Sequence, residues 1–157
     1  MLALAIVAVL QTAYYYPQLP NIVASHFDGV GRVNDWSSKN TFFLLYLAMI
    51  ALILAIFWGL PLLTQHTSTS LINLPNKHYW LAEGRRESTL RFFQQQMGWF
   101  GVATLLMAIS VMQLAINANL NATRYLPGRS FWMILAVYFL YVIGWLIRFY
   151  ARFGRTS

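Results

Sequence analysis

The sequence predicts an all-α integral membrane protein with about four transmembrane helices, an ordered external first loop and a cytoplasmic amphipathic segment. Of its 157 residues, 59% are hydrophobic and 10% are charged, whereas a soluble domain carries about 25% charged residues. Several apolar runs approach the roughly 20 residues that a helix needs to cross a bilayer. No internal repeat, low-complexity tract or flexible linker divides the chain, so residues 1–157 are expected to form a single transmembrane domain.

The first span is predicted at residues 1–16. Residues 2–10 are all apolar, and Tyr14, Tyr15 and Tyr16 then resemble the aromatic belt of a membrane interface. The run is short for a span unless the native N-terminus lies upstream of Met1. A cleaved signal peptide is the alternative, but no basic segment precedes the run and no small-x-small cleavage site follows it. We therefore expect a retained first helix.

Three further spans are predicted at residues 41–63, 98–116 and 131–147. The second span is free of charge, and Pro61 lies near its end, where a missing backbone donor is tolerated. Arg148 closes the fourth span. Each run is apolar on every face, as expected for a helix in contact with lipid.

The basic residues predict the orientation, because an excess of Lys and Arg marks the cytoplasmic side of a membrane protein. Seven lie in the second loop and the tail: Lys77, Arg85, Arg86, Arg91, Arg148, Arg152 and Arg155. Four lie in the first and third loops: Arg32, Lys39, Arg124 and Arg129. This bias predicts a multi-pass protein with both termini and the second loop in the cytoplasm.

The first loop, between residues 17 and 40, carries signals of an ordered structure. Pro17 and Pro20 end the first helix because neither can donate to a helical ladder, and Gly29 and Gly31 permit a tight reversal. Four apolar side chains can press on the helix ends: Phe27, Val30, Val33 and Trp36. One of three polar side chains is expected to cap the second helix: Asp35, Ser37 or Ser38. These residues predict a compact loop on the outer membrane face, with Lys39 extended towards the interface.

The same loop resembles a small bacterial membrane domain of unknown function. The resemblance rests on Leu-Pro, His-Phe, a glycine-rich turn and Asp-Trp-Ser-Ser-Lys entering a helix, with these residues: Leu19, Pro20, His26, Phe27, Gly31, Asp35, Trp36 and Lys39. Ala24 stands where that domain commonly has a second proline. The domain also forms the N-terminal part of SdpI-type immunity and signal-receptor proteins, and the resemblance covers about residues 14–63. It implies a protein of the bacterial inner (cytoplasmic) membrane.

The second loop contains a motif that resembles a segment of some proteins with this domain: Asn73, Pro75, Asn76, Lys77, Tyr79 and Trp80. Residues 82–96 then mix charged side chains with Leu90, Phe92 and Phe93. This pattern predicts an amphipathic helix that lies on the cytoplasmic surface and runs into the third span. Four cations are expected to contact anionic lipid headgroups: Lys77, Arg85, Arg86 and Arg91. A docking surface for a partner protein is the alternative.

No catalytic or cofactor-binding motif is apparent in the sequence. The chain has no cysteine, and no ionisable residue lies in the middle of a predicted span, where charges mark pumps and transporters. His26 and Asp28 are weak candidates for a metal site, since imidazole and carboxylate are common ligands. A third ligand is missing, so neither a metal nor a cofactor is expected. In the simpler interpretation, His26 bonds the loop backbone and fixes the turn.

Four aromatic residues, which we call the aromatic stripe, recur at helical spacing in the fourth span: Tyr138, Tyr141, Trp145 and Phe149. Their steps of three, four and four place them on one helix face. A lipid-facing hydroxyl at the depth of Tyr138 or Tyr141 would lack a partner. The stripe is therefore predicted to contact another membrane subunit. Packing against lipid or another helix, and a groove for a quinone or pigment, are the alternatives.

These features predict a non-enzymatic membrane protein that is an accessory or stabilising subunit of a larger membrane complex. Its expected partners are membrane lipids, including anionic headgroups, and other membrane-protein subunits. The charge of +7 is assigned to lipid contact, and no nucleic acid is expected. The alternative is an SdpI-like membrane receptor or immunity protein that senses a ligand at the outer face. A membrane enzyme or metal-binding protein that uses His26 is the third hypothesis.

Overall fold

The structure, a computed structural model, describes residues 1–63, 72, 74–121 and 124–154. Its elements in chain order are α1 (Leu2–Tyr15), β1 (Ile22–Phe27), β2 (Val33–Ser38), α2 (Lys39–Leu54), α3 (Leu60–Leu63), α4 (Lys77–Trp80), α5 (Arg86–Leu120) and α6 (Gly128–Phe153). A π-helical turn, Ala55–Gly59, joins α2 to α3, so that Lys39–Leu63 is one continuous helix. The predictions that concern Asn73 and Arg155 lie outside the described residues.

Three of these helices are long and apolar enough to cross a membrane: Lys39–Leu63, Arg86–Leu120 and Gly128–Phe153. They contain all of the residues predicted for the second, third and fourth spans. The shorter α1 has 14 residues, or about 21 Å at 1.5 Å per residue. The side chain of Met1, which immediately precedes α1, lies beside Gly101 in the middle of α5. The predicted helical character is confirmed, but of the about four predicted spans only the second, third and fourth are long enough by these criteria, and the described part of the first is a shorter apolar helix.

The first loop is a two-stranded antiparallel sheet, so the prediction of a strictly all-α protein is wrong in this region. Its strands β1 and β2 pair from Ile22 opposite Ser38 to Phe27 opposite Val33, with two shifts of register between them. Proline at 17 and 20 prevents α1 from continuing. The β-branched residues that follow suit an extended backbone. The loop was expected to be compact and ordered, and its order comes from strand pairing.

Local hydrogen bonds close the hairpin turn and cap the helix that follows it. The Oδ1 atom of Asp28 accepts hydrogen bonds from the backbone N–H groups of Val30 and Arg32, at 3.0 and 2.8 Å. At the start of α2, the Oγ of Ser38 accepts from the N–H of Thr41 at 3.1 Å. Of the three predicted caps, Ser38 is therefore the one observed.

The central helix α5 is longer than the predicted third span. Its 35 residues extend about 52 Å, whereas the hydrocarbon core of a bilayer is about 30 Å thick. The segment expected to lie on the membrane surface, residues 82–96, mostly forms the first turns of this uninterrupted helix. Leu90 is buried and the ring of Phe92 contacts that of Phe153, with centroids 5.7 Å apart. The apolar side of this segment therefore packs against protein.

Helix α5 contacts α1, α2 and α6, and a polar network joins three of these four helices. The hydroxyl of Tyr46 donates to the Oε1 of Gln11 at 2.7 Å, and the Nε2 of Gln11 donates to the Oε1 of Gln113 at 2.9 Å. Gln113 in turn donates to the hydroxyl of Tyr15 at 3.1 Å. In lipid the hydrophobic effect contributes little to helix association, so interhelical hydrogen bonds such as these help to stabilise the bundle.

Candidate functional site

The side chain of Asn119 attaches the hairpin to the end of α5 through hydrogen bonds. Its Oδ1 accepts a hydrogen bond from the backbone N–H of Ala24 at 2.7 Å, and its Nδ2 donates to the carbonyl of Ala24 at 3.0 Å. Both residues are buried. The amide therefore takes the place of a further strand at the edge of β1 and satisfies two buried backbone groups. Sequence reasoning missed this residue.

A second attachment joins the hairpin turn to the segment that leads into α6. The N–H of Leu126 donates to the carbonyl of Gly31 at 3.0 Å, and the hydroxyl of Tyr125 donates to the carbonyl of Val30 at 2.6 Å. The guanidinium of Arg124 lies 4.9 Å from the centre of the Trp36 ring. The hairpin thus connects the end of α5 to the start of α6.

The residues of the predicted external loop motif all lie in or beside this hairpin. Leu19 is buried, Pro20 is exposed and Phe27 is half-buried. The Nζ of Lys39 lies 4.8 Å from the centre of the Tyr16 ring and donates to the carbonyl of Leu19 at 3.4 Å. This lysine therefore stays at the base of the hairpin.

Two titratable residues of the motif are brought together, because His26 lies opposite Asp35 across the two strands. The other metal candidate, Asp28, lies in the turn, where its carboxylate already accepts two backbone hydrogen bonds. Among the described residues, no group of three His, Cys, Asp or Glu side chains is placed to hold a metal ion.

Beneath the hairpin lies a groove of about 630 Å³ between α2, α5 and α6, which we call the hairpin groove. Its volume falls within the range of about 300–1,000 Å³ that is usual for small-molecule sites. Five polar residues line it: Ser25, His26, Asp35, Ser37 and Thr41. The remaining lining, apart from the hydroxyl of Tyr46, is apolar: Phe42, Leu45, Met49, Met107, Ala108, Val111, Met112, Ala115, Phe131 and Leu135.

At the opposite end of the molecule, the second-loop motif caps the C-terminus of α6. The Nδ2 of Asn76 and the Nε1 of Trp80 both donate to the carbonyl of Phe153, at 2.9 and 3.2 Å. A helix end leaves such carbonyls without partners of its own. Thr89 of α5 donates to the carbonyl of Trp80 at 2.9 Å. The motif therefore ties the second loop to both α5 and α6, while Pro75 and Lys77 are half-buried beside it.

Arg85 and Arg91, both predicted to contact lipid headgroups, bind other groups of the chain. The Nε of Arg85 donates to the carbonyl of Tyr79 at 2.9 Å, and its guanidinium lies 4.0 Å from the centre of the Tyr79 ring. Arg91 pairs with Glu87 at 3.1 Å, with both side chains largely exposed. Headgroup contact by Lys77, Arg85, Arg86 and Arg91 stays a prediction.

The aromatic stripe faces α5 of the same chain. The hydroxyl of Tyr138 lies 3.0 Å from the Oγ1 of Thr104, and the Nε1 of Trp145 donates to the carbonyl of Gln96 at 3.2 Å. The ring of Phe100 contacts Tyr138, Tyr141 and Trp145, and Trp145 stacks on Phe149. Tyr138 therefore needs no hydroxyl partner from another subunit, and contact of the stripe with one stays a prediction.

The opposite side of α6 is an exposed apolar surface, which we call the outward face: Ala136, Leu140, Gly144, Ile147 and Ala151. Leu140 and Ile147 are 69% and 65% exposed. No residue in the most apolar part of α6 is buried. A side chain added at Gly144 would meet open space. This face can therefore accept another helix or lipid.

Comparison with protein families matched residues 3–50 to the model described as "Domain of unknown function (DUF1648)". The matched part contains nearly all of α1, the hairpin and most of α2. It includes the loop on which the predicted resemblance to a small domain of unknown function rests. Comparison with curated proteins and with solved structures found no match. The relation to SdpI-type proteins stays a prediction.

Proposed function

We propose that this protein is a non-enzymatic accessory subunit that binds a larger membrane complex through the outward face of α6. One observation carries the proposal: α6 uses the aromatic stripe to pack on α5 and leaves its other side exposed. The protein would act by contact, through a helix surface that its own fold leaves uncovered.

The composition of the outward face supports contact with a helix. Successive residues of an α-helix are separated by about 100°, so Ala136, Gly144 and Ala151 lie on the same side as Leu140 and Ile147. Small residues let two helix backbones approach closely, and close packing is the main source of helix association in lipid. Three of the five residues of the outward face are small, and small residues are enriched where membrane helices meet.

The proposal is tested by adding bulk to the outward face. Gly144→Trp should abolish close helix approach, and we expect recovery of a co-purifying membrane subunit to fall about tenfold, a typical effect of overpacking. The measurement is quantitative mass spectrometry after native purification in mild detergent. Ala48→Trp is the matched control, because Ala48 is also small, exposed and within a long apolar helix. Equal recovery from both variants, or no stoichiometric partner of the unaltered protein, would refute the proposal.

We also place the protein in the bacterial inner membrane with both termini in the cytoplasm, and this orientation can be measured directly. The chain has no native cysteine, so a single introduced cysteine reports its own accessibility. Asn34→Cys in the hairpin should react with a membrane-impermeant maleimide in intact cells, whereas Ser88→Cys at the start of α5 should react only after lysis. Both native residues are exposed. The reverse pattern would show that the topology is inverted and that the four cations predicted to contact headgroups lie outside.

The second candidate function is an SdpI-like membrane receptor or immunity protein that senses a ligand at the outer face. It is supported by the hairpin groove, which places polar residues of the predicted loop motif, His26 and Asp35 among them, beside an apolar cleft. The third hypothesis, an enzyme or metal-binding protein that uses His26, has less support, because the described residues supply no third ligand near this histidine.

A further inference from the structure

The hairpin groove is polar at one end and apolar along the rest of its length. Thr41 and Met49 of α2 both line it, and their separation of eight residues corresponds to about 12 Å along a helix. Thr41 lies in the first turn of α2, next to the hairpin that supplies the other polar lining residues.

The walls formed by α5 and α6 also run from the hairpin towards the spanning part of each helix. Ala115 and Phe131 lie near the ends of α5 and α6 that meet the hairpin segment, whereas Met107 and Leu135 lie further along these helices. The apolar lining therefore descends from the hairpin into the spanning part of all three helices. A bound molecule would need a polar head at the hairpin and an apolar chain below it.

The charge at the polar end selects among such molecules. Asp35 is exposed, and its Oδ1 accepts a hydrogen bond from the N–H of Trp36 at 2.8 Å. Within the described part of the chain, this carboxylate makes no ion pair. It is accompanied by the imidazole of His26 and by the hydroxyls of Ser25, Ser37 and Thr41. An anionic head would meet a like charge there, whereas an ammonium head would meet a carboxylate and several hydrogen-bond acceptors.

We propose that the hairpin groove binds a single-chain amphiphile with a protonated amine head, which Asp35 and the neighbouring hydroxyls hold while the chain lies along α2, α5 and α6. This site is distinct from the outward face of α6 and does not depend on the presence of a partner subunit. Entry occurs from the membrane, because the apolar part of the lining belongs to the spanning helices.

The experiment uses the full-length protein in phosphatidylcholine nanodiscs with two photoreactive probes, a diazirine-bearing dodecylamine and the matching dodecanoic acid. Labelled residues are mapped and quantified by mass spectrometry at neutral pH. We expect the amine probe to label lining residues such as Met49, Met107 and Leu135 and to exceed the acid probe there. Equal labelling by both probes would mean that the groove accepts bilayer chains without selection, and would overturn the proposal.

Two substitutions test the contact with the amine head and the contact with the apolar chain separately. Asp35→Asn keeps the oxygen that accepts from Trp36 but removes the charge, so amine labelling should fall roughly threefold, as expected for an exposed ion pair. Leu45→Trp should fill the groove and reduce labelling about tenfold. Leu44→Trp is the matched control, because Leu44 and Leu45 are 68% and 64% exposed and only Leu45 lines the groove. Unchanged labelling in Asp35→Asn, or equal labelling in the two tryptophan variants, would contradict the assignment.

Discussion

Replacing Asn119 with alanine is expected to release the hairpin from α5 and to destabilise the protein strongly. The side chain satisfies the buried N–H and carbonyl of Ala24 together, and no local partner in the strand replaces it. Because each unsatisfied buried polar group costs about 1–3 kcal/mol, the free energy of unfolding should fall by about 2–6 kcal/mol. The measurement is thermal unfolding in detergent, combined with limited proteolysis of the segment between α1 and α2.

Asn117→Ala is the matched control for this substitution. Asn117 lies two residues earlier in the same helix and is exposed, and its Oδ1 accepts one hydrogen bond from Gln113. Its removal should cost less than about 1 kcal/mol, as is usual for exposed positions. Protease resistance of the hairpin in Asn119→Ala, at the level of the unaltered protein, would show that Asn119 is not its anchor.

The spanning helices could be predicted from the sequence because their signal is local. A run of apolar residues long enough to cross a bilayer has few other structures available to it. The predicted spans at residues 41–63, 98–116 and 131–147 accordingly lie within helices of the structure. The strands of the hairpin gave no such signal. Their sequences lack a regular apolar–polar alternation, and their pairing is interrupted by shifts of register.

The contacts that position the hairpin could not be predicted because they join distant parts of the chain. Ala24 and Asn119 are 95 residues apart in the sequence, as are Val30 and Tyr125. The same holds for Asn76, which caps a helix end 77 residues away. A single sequence has no periodic pattern that reports such pairs. Sequence reasoning therefore singled out the second-loop motif but did not predict its role at the end of α6.

The aromatic stripe shows a different limit of sequence reasoning. Helical spacing places Tyr138, Trp145 and Phe149 on one face, but a helix face in a membrane can be turned to lipid, to another subunit or to its own chain. The choice depends on whether a neighbouring helix offers complementary groups. Thr104 and the carbonyl of Gln96 on α5 do so, and both lie more than 30 residues away.

Gly31→Ala is expected to destabilise the second attachment of the hairpin. Gly31 has a φ of +90°, where a residue with a side chain is strained by about 1–3 kcal/mol. An added Cβ would also overlap the carbonyl oxygen of Leu126. Relief of this overlap should lengthen or break the hydrogen bond from the N–H of Leu126 to the carbonyl of Gly31, and such a bond contributes about 1 kcal/mol. The free energy of unfolding should therefore fall by about 2–4 kcal/mol. Gly29→Ala is the control, since its Cβ would meet open space, and thermal unfolding of both variants is the measurement.

The double variant Gly31→Ala/Asn119→Ala tests whether the two attachments hold one rigid hairpin. If they do, either single change already loosens the hairpin from both α5 and the segment before α6. The second change then has fewer stabilising contacts left to remove. The combined loss should then be smaller than the sum of the single losses by about 0.5–3 kcal/mol, as is usual for coupled residues. Simple additivity would instead mean that the edge of β1 and the turn at Gly31 are anchored independently. In that case the loss of one anchor would displace only the part of the hairpin that it holds, and the hairpin groove, which takes its polar end from both strands, would be altered only in part.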